Sequence, residues 1–350
     1  MISKKIFINF LVLFSAKIIE SRNLRRTPNP YVPEITVSAS NNAIHKEWIL
    51  NPQGTTTKKY RLKSSFLRLR PIKQGFNETV FKQHYMPEES ITCRTGNGIV
   101  EGSTLSKIAN ELIEEIKAGK KDFTSFKVLK DSGFNYKTLS GLIVLKYKNY
   151  PFVIKVSIEH PHTMIDPFSK SYEATGIFLM GGNLRHLSNF TRITNLEHIK
   201  QLLCYNPFYL YNVDFPRKWY WKPENGYNLE INWRCGNQKE KILLPSIYAV
   251  ISDFIITEEN QPTHELNRLS MKVATDVGFL IDPHAGNILI EKGSRKYVLL
   301  DTEDFRLMTG LDTPMNAKKY IGWYIELVTR AIKNCLFKDK QERMTQSMQI

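Results

Sequence analysis

Cysteine is scarce in this sequence, and its spacing excludes several kinds of cross-linked or metal-stabilised protein. Four cysteines occur in 350 residues, namely Cys93, Cys204, Cys235 and Cys335. Their wide separation fits neither a zinc motif nor the disulfide framework of a small secreted domain. We expect them to be buried free thiols, or to form disulfides only in an oxidising compartment.

Long apolar runs are also missing after the first residues of the chain. The stretch MISKKIFINFLVLFSA places two lysines before an apolar run that is short for a membrane span and typical of a secretory signal peptide. We therefore expect residues 1–21 to be a signal peptide and the protein to be exported. If the run is not cleaved, it is a buried strand or helix and the protein is cytoplasmic. No later stretch predicts a transmembrane helix.

Acidic side chains are rare in the first 75 residues, which carry fourteen Lys and Arg against three acids, in a chain of net charge +15. The remainder is therefore close to neutral. A basic arm on a near-neutral body attracts nucleic acid, anionic lipid or an acidic partner. The alternative is a solvated, partly disordered leader. Residues 22–100 are predicted to form a basic, loosely ordered extension.

The composition of the chain, with 42% apolar and 24% charged residues, is that of an ordinary folded protein. Helical spacing of apolar residues predicts a helix over residues 101–121. The runs FTSFKVLK, LSGLIVLKYK and PFVIKVSI then predict a three-stranded antiparallel sheet. After them, DPFSKSYEATGIFLMGG and NLEHIKQLL predict helices, and an aromatic segment predicts a hairpin or insertion.

The last part of the chain is predicted to be mainly helical. SIYAVISDFII predicts a buried strand, and HELNRLSMKVATDVG and AKKYIGWYIELVTRAIKNCLF predict helices. The predicted elements form a β-rich lobe over residues 122–255, whose last strand joins it to a helical lobe over residues 256–350. A cleft between two lobes is a common place for a ligand.

Three oxygen-bearing side chains are spaced so that a hairpin brings them together. Asp282 and Asn287 stand five residues apart in FLIDPHAGNILI, where a proline and a glycine disfavour helix. The apolar runs ILI and YVLL flank EKGSRK, in which Gly293 supplies a turn, so they predict a β-hairpin. Because the two ends of a hairpin meet, Asp301 at its end is expected beside Asn287.

These side chains suit the chemistry of phosphate transfer. The oxygens of Asn287 and Asp301 are hard ligands of the kind that Mg²⁺ takes when it carries nucleotide phosphates. Asp282 then remains to orient a hydroxyl or to receive its proton.

The same residues resemble the catalytic elements of the protein-kinase-like superfamily, in which a D-x-x-x-x-N loop precedes a metal-binding Asp at the end of a hairpin. DPHAGNIL is similar to the loop of atypical UbiB-type kinases and of aminoglycoside-phosphotransferase-like kinases, and LLDTEDF to the Asp motif of the latter. The resemblance covers roughly residues 126–337. It implies a two-lobed, α+β kinase-like fold in which Asp282 is the catalytic Asp and Asn287 and Asp301 hold metal and nucleotide.

Lys155 lies within an apolar strand, PFVIKVSI. Because side chains alternate along a strand, every second residue from Phe152 to Ile158 is predicted to face one side of the sheet and Lys155 the other. A buried ammonium group requires an anionic partner. The resemblance implies that Lys155 holds the α- and β-phosphates and that Glu173, in the next predicted helix, pairs with it. Glu159 is the competing candidate for that pairing, and a surface lysine with its stem on the sheet is the alternative for Lys155.

Several positions depart from the kinase pattern. KDSGFNYKTLSG lacks G-x-G-x-x-G spacing, and Leu280 stands where many kinases have His. Thr302 and Glu303 replace the Phe and Gly of D-F-G, and no A-P-E-like segment follows. These departures favour an atypical or small-molecule kinase and leave an inactive pseudokinase open.

The sequence therefore predicts an ATP- and Mg²⁺-dependent phosphotransferase that acts on a hydroxyl acceptor, either a protein or a small molecule. The alternative is a catalytically inactive pseudokinase that serves as an exported binding or effector module, since ATP is scarce outside a bacterial cytoplasm. A third hypothesis is a binder of anionic polymers or membrane surfaces through residues 22–75.

Overall fold

A computed structural model describes residues 34–40, 55–61, 78–94, 96, 98–137, 139–159, 185–224, 228–235, 237–278 and 280–304. The strands are β1 (Glu34–Ser40), β2 (Thr55–Arg61), β3 (Ser90–Thr92), β4 (Ile99–Glu101), β5 (Phe126–Asn135), β6 (Ser140–Tyr147), β7 (Phe152–Ile158), β8 (Val213–Asp214), β9 (Lys218–Trp221), β10 (Asn228–Cys235), β11 (Gln238–Pro245), β12 (Ile247–Asp253), β13 (Ile288–Ile290) and β14 (Tyr297–Leu299). The helices are α1 (Glu78–Lys82), α2 (Gly102–Lys117), α3 (Arg185–Leu203), α4 (Pro207–Asn212) and α5 (Thr263–Asp276), and a 3-10 turn spans Ala285–Asn287. The fold is α+β with mainly antiparallel sheets.

The largest sheet has five antiparallel strands in the order β5-β6-β7-β12-β9. Its first three strands are the three apolar runs predicted to pair, and β12 and β9 extend the sheet from farther along the chain. β7 lies at the centre, between β6 and β12. Along β7, Phe152, Ile154 and Val156 are fully buried, whereas Val153 and Lys155 between them are only partly buried. This alternation confirms the predicted two faces of the strand.

One face of the five-stranded sheet is covered by α2. Leu105 of this helix and Ile154 of β7 belong to the same buried cluster. The helix spans Gly102–Lys117, within the predicted range of residues 101–121. A Cβ atom at Gly102 would lie 1.8 Å from the carbonyl oxygen of Pro87, so only glycine fits at that close approach.

The opposite face of the sheet receives α1 and α3. Val250 of β12 pairs with Lys155 on one side and with Tyr220 on the other, which places the three residues on this same face. Tyr220 and Val250 pack in a second buried cluster with Phe81 of α1 and Ile193 of α3. Lys155 therefore stands on the face that α3 approaches.

The predicted hairpin in the last described part of the chain is present. Ile288 pairs with Leu299, and Gly293 has a φ angle of +90° in the connecting turn, a conformation that glycine adopts without strain. Leu266 and Val273 of α5 pack with Ile288 and Leu299 in a buried cluster separate from that of the sheet.

Parts of the segment predicted to be loosely ordered, residues 22–100, form secondary structure. β1 pairs with both β2 and β10, in a sheet of order β11-β10-β1-β2, and α1, β3 and β4 follow. Pairing on both sides gives the backbone polar groups of β1 partners. The partner strand β10 belongs to the aromatic insertion, so a contact distant in sequence orders this part of the arm.

Several predicted features lie outside the described residues: the leader over residues 1–21, Glu173, the helix predicted from DPFSKSYEATGIFLMGG, and the chain after residue 304. Where the structure describes the chain, none of its helices combines the length and apolar character needed to cross a bilayer. Cys93 and Cys204 are free thiols, of which the first is buried and the second exposed.

Candidate active site

The hairpin β13–β14 brings two of the predicted metal ligands to one end. The backbone nitrogen of Leu300 donates to the carbonyl oxygen of Asn287 at 2.7 Å. Asp301 directly follows Leu300. It therefore comes just after the last backbone hydrogen bond between the two chain segments, on the segment opposite Asn287. The two residues therefore leave the hairpin at its open end.

Asp282 and Asn287 contact each other in the loop before the hairpin. The Nδ2 atom of Asn287 lies 3.2 Å from the carbonyl oxygen and 3.4 Å from the Oδ2 atom of Asp282. His284 supports this loop, because its Nδ1 atom accepts a hydrogen bond from the backbone nitrogen of Gly286 at 3.0 Å. With Nδ2 directed at Asp282, the Oδ1 atom of Asn287 is the one suited to a cation.

Lys155 reaches from the sheet to the hairpin. Its Nζ atom lies 3.1 Å from Oδ2 of Asp301, and the two side chains are 23% and 22% exposed. The strand that carries Lys155, β7, is the third strand of its sheet in chain order. Lys155 is therefore a partly buried ion-pair partner of Asp301 and not a solvated surface lysine.

A second cation, Arg192 of α3, contacts the same carboxylate. Its Nε atom lies 3.0 Å from Oδ1 and 3.3 Å from Oδ2 of Asp301. Its Nη2 atom donates to the carboxylate of Glu303. Arg192 is only 9% exposed. Sequence patterns did not single it out, because an arginine in a largely polar helix gives no local sign of burial.

Lys218 of β9 is a third cation near Asp301. It is buried, and its Nζ atom donates to Oγ1 of Thr302 at 2.7 Å. Burial lowers the pKa of Lys218 to about 7, against the opposing effect of the negative charge of Asp301. A lysine directly before the apolar run WYW was a usable sign in the sequence, of the same kind that singled out Lys155.

These cations determine the ionisation of Asp301. Burial opposes ionisation of its carboxyl group. The positive charges of Arg192, Lys155 and Lys218 outweigh that effect and hold the pKa of Asp301 well below its usual range. The carboxylate is therefore ionised at neutral pH, as a metal ligand must be.

The segment after Asp301 is fixed to α3 by hydrogen bonds. Asn195 donates from Nδ2 to the carbonyl oxygen of Thr302 at 3.1 Å, and Thr302 donates from Oγ1 to the carbonyl oxygen of Arg192. The backbone nitrogen of Asp304 donates to Oγ1 of Thr191 at 2.7 Å. Three positions on one helix therefore hold the chain that carries Asp301.

Two acidic residues, Glu173 and Glu159, were predicted as candidate partners of Lys155. Glu173 lies outside the described residues. Its competitor Glu159 is buried at the end of the sheet, where it accepts a hydrogen bond from the hydroxyl of Tyr248 at 3.2 Å. Asp301 is a carboxylate that Lys155 does contact.

The end of β12, the buried strand predicted from SIYAVISDFII, is fixed by an ion pair. Arg217 donates to the buried carboxylate of Asp253 from Nε at 3.0 Å and from Nη2 at 2.6 Å. The backbone nitrogen of Phe254 donates to the carbonyl oxygen of Pro151 at 2.9 Å. The position where β12 leaves the sheet is thus well defined.

In comparisons with known proteins, no family model, no curated protein and no solved structure matches the chain. Function therefore has to be inferred from the residues of the site and from their geometry.

Proposed function

We propose that the protein is an ATP- and Mg²⁺-dependent phosphotransferase of atypical kinase type with a two-lobed kinase-like fold. The observation that carries the proposal is the 3.1 Å contact between Nζ of Lys155 and Oδ2 of Asp301. It joins a cation suited to nucleotide phosphates with a carboxylate suited to their metal. A lysine on the third strand, a D-x-x-x-x-N loop and an Asp after a hairpin are recurring parts of kinase sites.

The packing of the chain supports the two-lobed part of the proposal. The five-stranded sheet and α2 share one buried cluster, whereas α5 and the hairpin β13–β14 share another. β12 belongs to the first group and leads by a short connection to α5 in the second. Lys155 lies in the first group, and the hairpin of the second leads to Asp301. A nucleotide between the groups would thus meet both residues.

The donor atoms fit a magnesium ion. Asp301 offers an ionised carboxylate and Asn287 a side-chain carbonyl oxygen, and both are hard ligands. When bound with the triphosphate, Mg²⁺ would neutralise charge on the phosphate oxygens. Lys155 would then bind phosphate oxygens in place of Asp301. Its Nζ atom already lies beside the Asp301 carboxylate that would hold the metal, and therefore close to the phosphates that the metal carries.

Asp282 would act on the acceptor. Its carboxylate receives the proton of the acceptor hydroxyl while the hydroxyl oxygen forms a bond to the γ-phosphorus. The bond from that phosphorus to the bridging oxygen of the β-phosphate breaks, and ADP leaves with the electron pair. Asn287 holds Asp282 in position through the contacts of its Nδ2 atom with the carbonyl oxygen and Oδ2 of that residue.

A pseudokinase that serves as a binding module is the second candidate. One observation favours it: both oxygens of Asp301 are already engaged by cations, Lys155 on Oδ2 and Arg192 on both. A metal must displace at least one of these contacts. Export of the protein through the leader over residues 1–21, and an anionic partner for the basic arm, belong to the proposal in either form.

Binding and turnover separate the two candidates. The chain lacking residues 1–21 is heated with ATP, with Mg²⁺-ATP, and with Mg²⁺-ATP plus a chelator, and phosphate transfer to added hydroxyl acceptors and to water is followed in parallel. A kinase shows metal-dependent thermal stabilisation together with turnover that Asp282→Ala abolishes. Stabilisation without turnover identifies the binding module. No stabilisation and no turnover contradicts the nucleotide site altogether.

A further inference from the structure

Arg192, the second cation on Asp301, has no role in the phosphotransferase described above. We propose that Arg192 is a phosphate-binding residue, which forms with Lys155 a two-cation cradle that selects nucleoside di- and triphosphates over monophosphates. This inference rests on the proposed function and concerns the phosphate groups of the nucleotide.

The balance of charge around Asp301 favours a polyphosphate. Among the described residues, two cationic side chains, Lys155 and Arg192, contact the carboxylates of Asp301 and Glu303, and Lys218 adds a further positive charge when it is protonated. When Asp301 turns to a metal ion, the cations on its carboxylate lose an anionic contact. Arg192, which is 9% exposed, keeps the carboxylate of Glu303 on Nη2 but loses the acceptor that Asp301 supplies to Nε, and such a loss is costly for a buried donor. Phosphate oxygens supply the replacement.

The positions of the two cations allow them to hold the same anionic oxygen. Oδ2 of Asp301 lies 3.1 Å from Nζ of Lys155 and 3.3 Å from Nε of Arg192. A phosphate oxygen at that position would therefore be bound from two sides. One cation comes from the sheet and the other from α3, so such an oxygen would also join these two elements.

The guanidinium of Arg192 is oriented for this contact by its second partner. Nη2 is held by the carboxylate of Glu303, and because the group is planar, this bond also sets the direction of Nε. A lysine at this position would keep the charge, but it has no planar group whose separate nitrogen atoms could bind Glu303 and a phosphate at the same time. Arg192→Lys is therefore the informative substitution.

The experiment measures equilibrium binding of Mg²⁺-ATP, Mg²⁺-ADP and AMP to the full chain and to Arg192→Lys. We expect the wild type to bind ATP and ADP more tightly than AMP. We expect the variant to lose about ten- to hundredfold in ATP affinity, the range for one or two hydrogen bonds to a charged group, with little change for AMP. Arg94→Lys is the matched control, because Arg94 also binds two carboxylates, those of Asp214 and Glu291, away from this site. Its affinities should equal those of the wild type.

The outcomes separate this inference from the proposed function. If the wild type binds no nucleotide, the proposed function fails and the cradle with it. If the wild type binds ATP and a folded Arg192→Lys matches it in affinity and in ATP-to-AMP preference, only the cradle is wrong. Should Arg192→Lys fail to fold, Glu303→Gln replaces it, because glutamine keeps an acceptor oxygen while removing the charge. We expect that variant to lose about threefold or more in ATP affinity, and an unchanged preference overturns the inference.

Discussion

Lys155 and Asp301 are 146 positions apart in the sequence, yet Nζ of the first lies 3.1 Å from Oδ2 of the second. The contact crosses from the central strand of the sheet to the residue that follows the hairpin. It holds together a cation that, unpaired, would be costly to bury and a carboxylate whose ionisation that cation favours. In the proposed phosphotransferase, a nucleotide with its metal would exchange this ion pair for two new ones.

Asp282→Ala is expected to retain Mg²⁺-ATP binding and to lose phosphate transfer by about 10²- to 10⁴-fold, the usual contribution of a general base. The metal and phosphate groups stay in place, since Asn287 and Asp301 are unchanged. Binding is measured by thermal shift and turnover by release of ADP. Glu259→Ala, at an exposed position before α5, is the control and should leave both unaltered. Equal loss of binding in Asp282→Ala would mean that Asp282 is part of the nucleotide site itself.

Lys155→Met is expected to weaken Mg²⁺-ATP binding by about tenfold or more, because a hydrogen bond to a charged group contributes roughly 1.5–3 kcal/mol. Methionine keeps the apolar stem against the sheet and removes only the ammonium group. Lys127→Met, at an exposed position on β5, is the control. An affinity unchanged from the wild type would show that Lys155 serves Asp301 and not the nucleotide.

Stability should depend on pH through Lys218. Its pKa is about 7 in the folded protein against an ordinary value of 10.5. Between these values the unfolded chain binds a proton that folded Lys218 lacks, so the free energy of unfolding rises with pH in this window and is lowest below about pH 7.

Lys218→Met removes this dependence. Relative to the wild type, the variant should be more stable at pH 6 than at pH 9 by an amount on the order of 1–3 kcal/mol. The loss of the contact with Thr302 is the same at both values and cancels in the comparison. Unfolding in urea at the two pH values measures the difference. If the stability of Lys218→Met relative to the wild type is the same at both pH values, Lys218 titrates at its ordinary pKa. Lys127→Met is the control, and its stability relative to the wild type should not change with pH.

Arg94→Met is expected to destabilise the fold by about 2–4 kcal/mol without changing nucleotide affinity. Arg94 donates to Glu291 at 2.8 Å, to Asp214 at 2.6 Å and to the carbonyl oxygen of Phe215 at 2.9 Å. Removing it leaves a carboxylate that is 17% exposed, that of Glu291, without its strongest partner. Denaturant unfolding gives the loss. A variant as stable as the wild type would contradict this role for Arg94 in joining the β3–β4 hairpin to β8 and to the turn after β13.

The basic arm is best tested by substitution, because β1 within it pairs with β10 and deletion would remove that pairing. Replacing Lys63, Arg68, Arg70 and Lys73 by alanine should weaken binding to double-stranded DNA, used as a generic anionic polymer. The slope of log affinity against log salt should become less steep by about 3 to 4 if all four contact phosphates. The four residues lie outside the described residues. An unchanged slope excludes them as contacts, and alanine at four exposed lysines outside the arm, Lys107, Lys127, Lys130 and Lys137, controls for net charge.

Local sequence patterns were sufficient to predict the elements that carry the site. Alternation over residues 152–158 predicted a strand with Lys155 opposite its buried residues, and two apolar runs around Gly293 predicted the hairpin. Because strand and turn preferences act over a few residues, such features can be read without knowing the rest of the fold. The pairing of β1 with β10 could not be predicted in this way, because neither strand indicates its partner across almost two hundred residues.

Which charges meet was decided only when the chain folded. Asp282, Asn287 and Asp301 were predicted as a group because one hairpin links them, but Arg192, Lys218 and Glu303 were not. Arg192 reaches Asp301 because α3 packs against the face of the sheet that carries Lys155, and side-chain packing of Ile193 with Val250 contributes to that placement. Electrostatic partners across a fold depend on distances of a few ångströms between elements, and those distances are set by the packing of the whole core rather than by spacing along the chain.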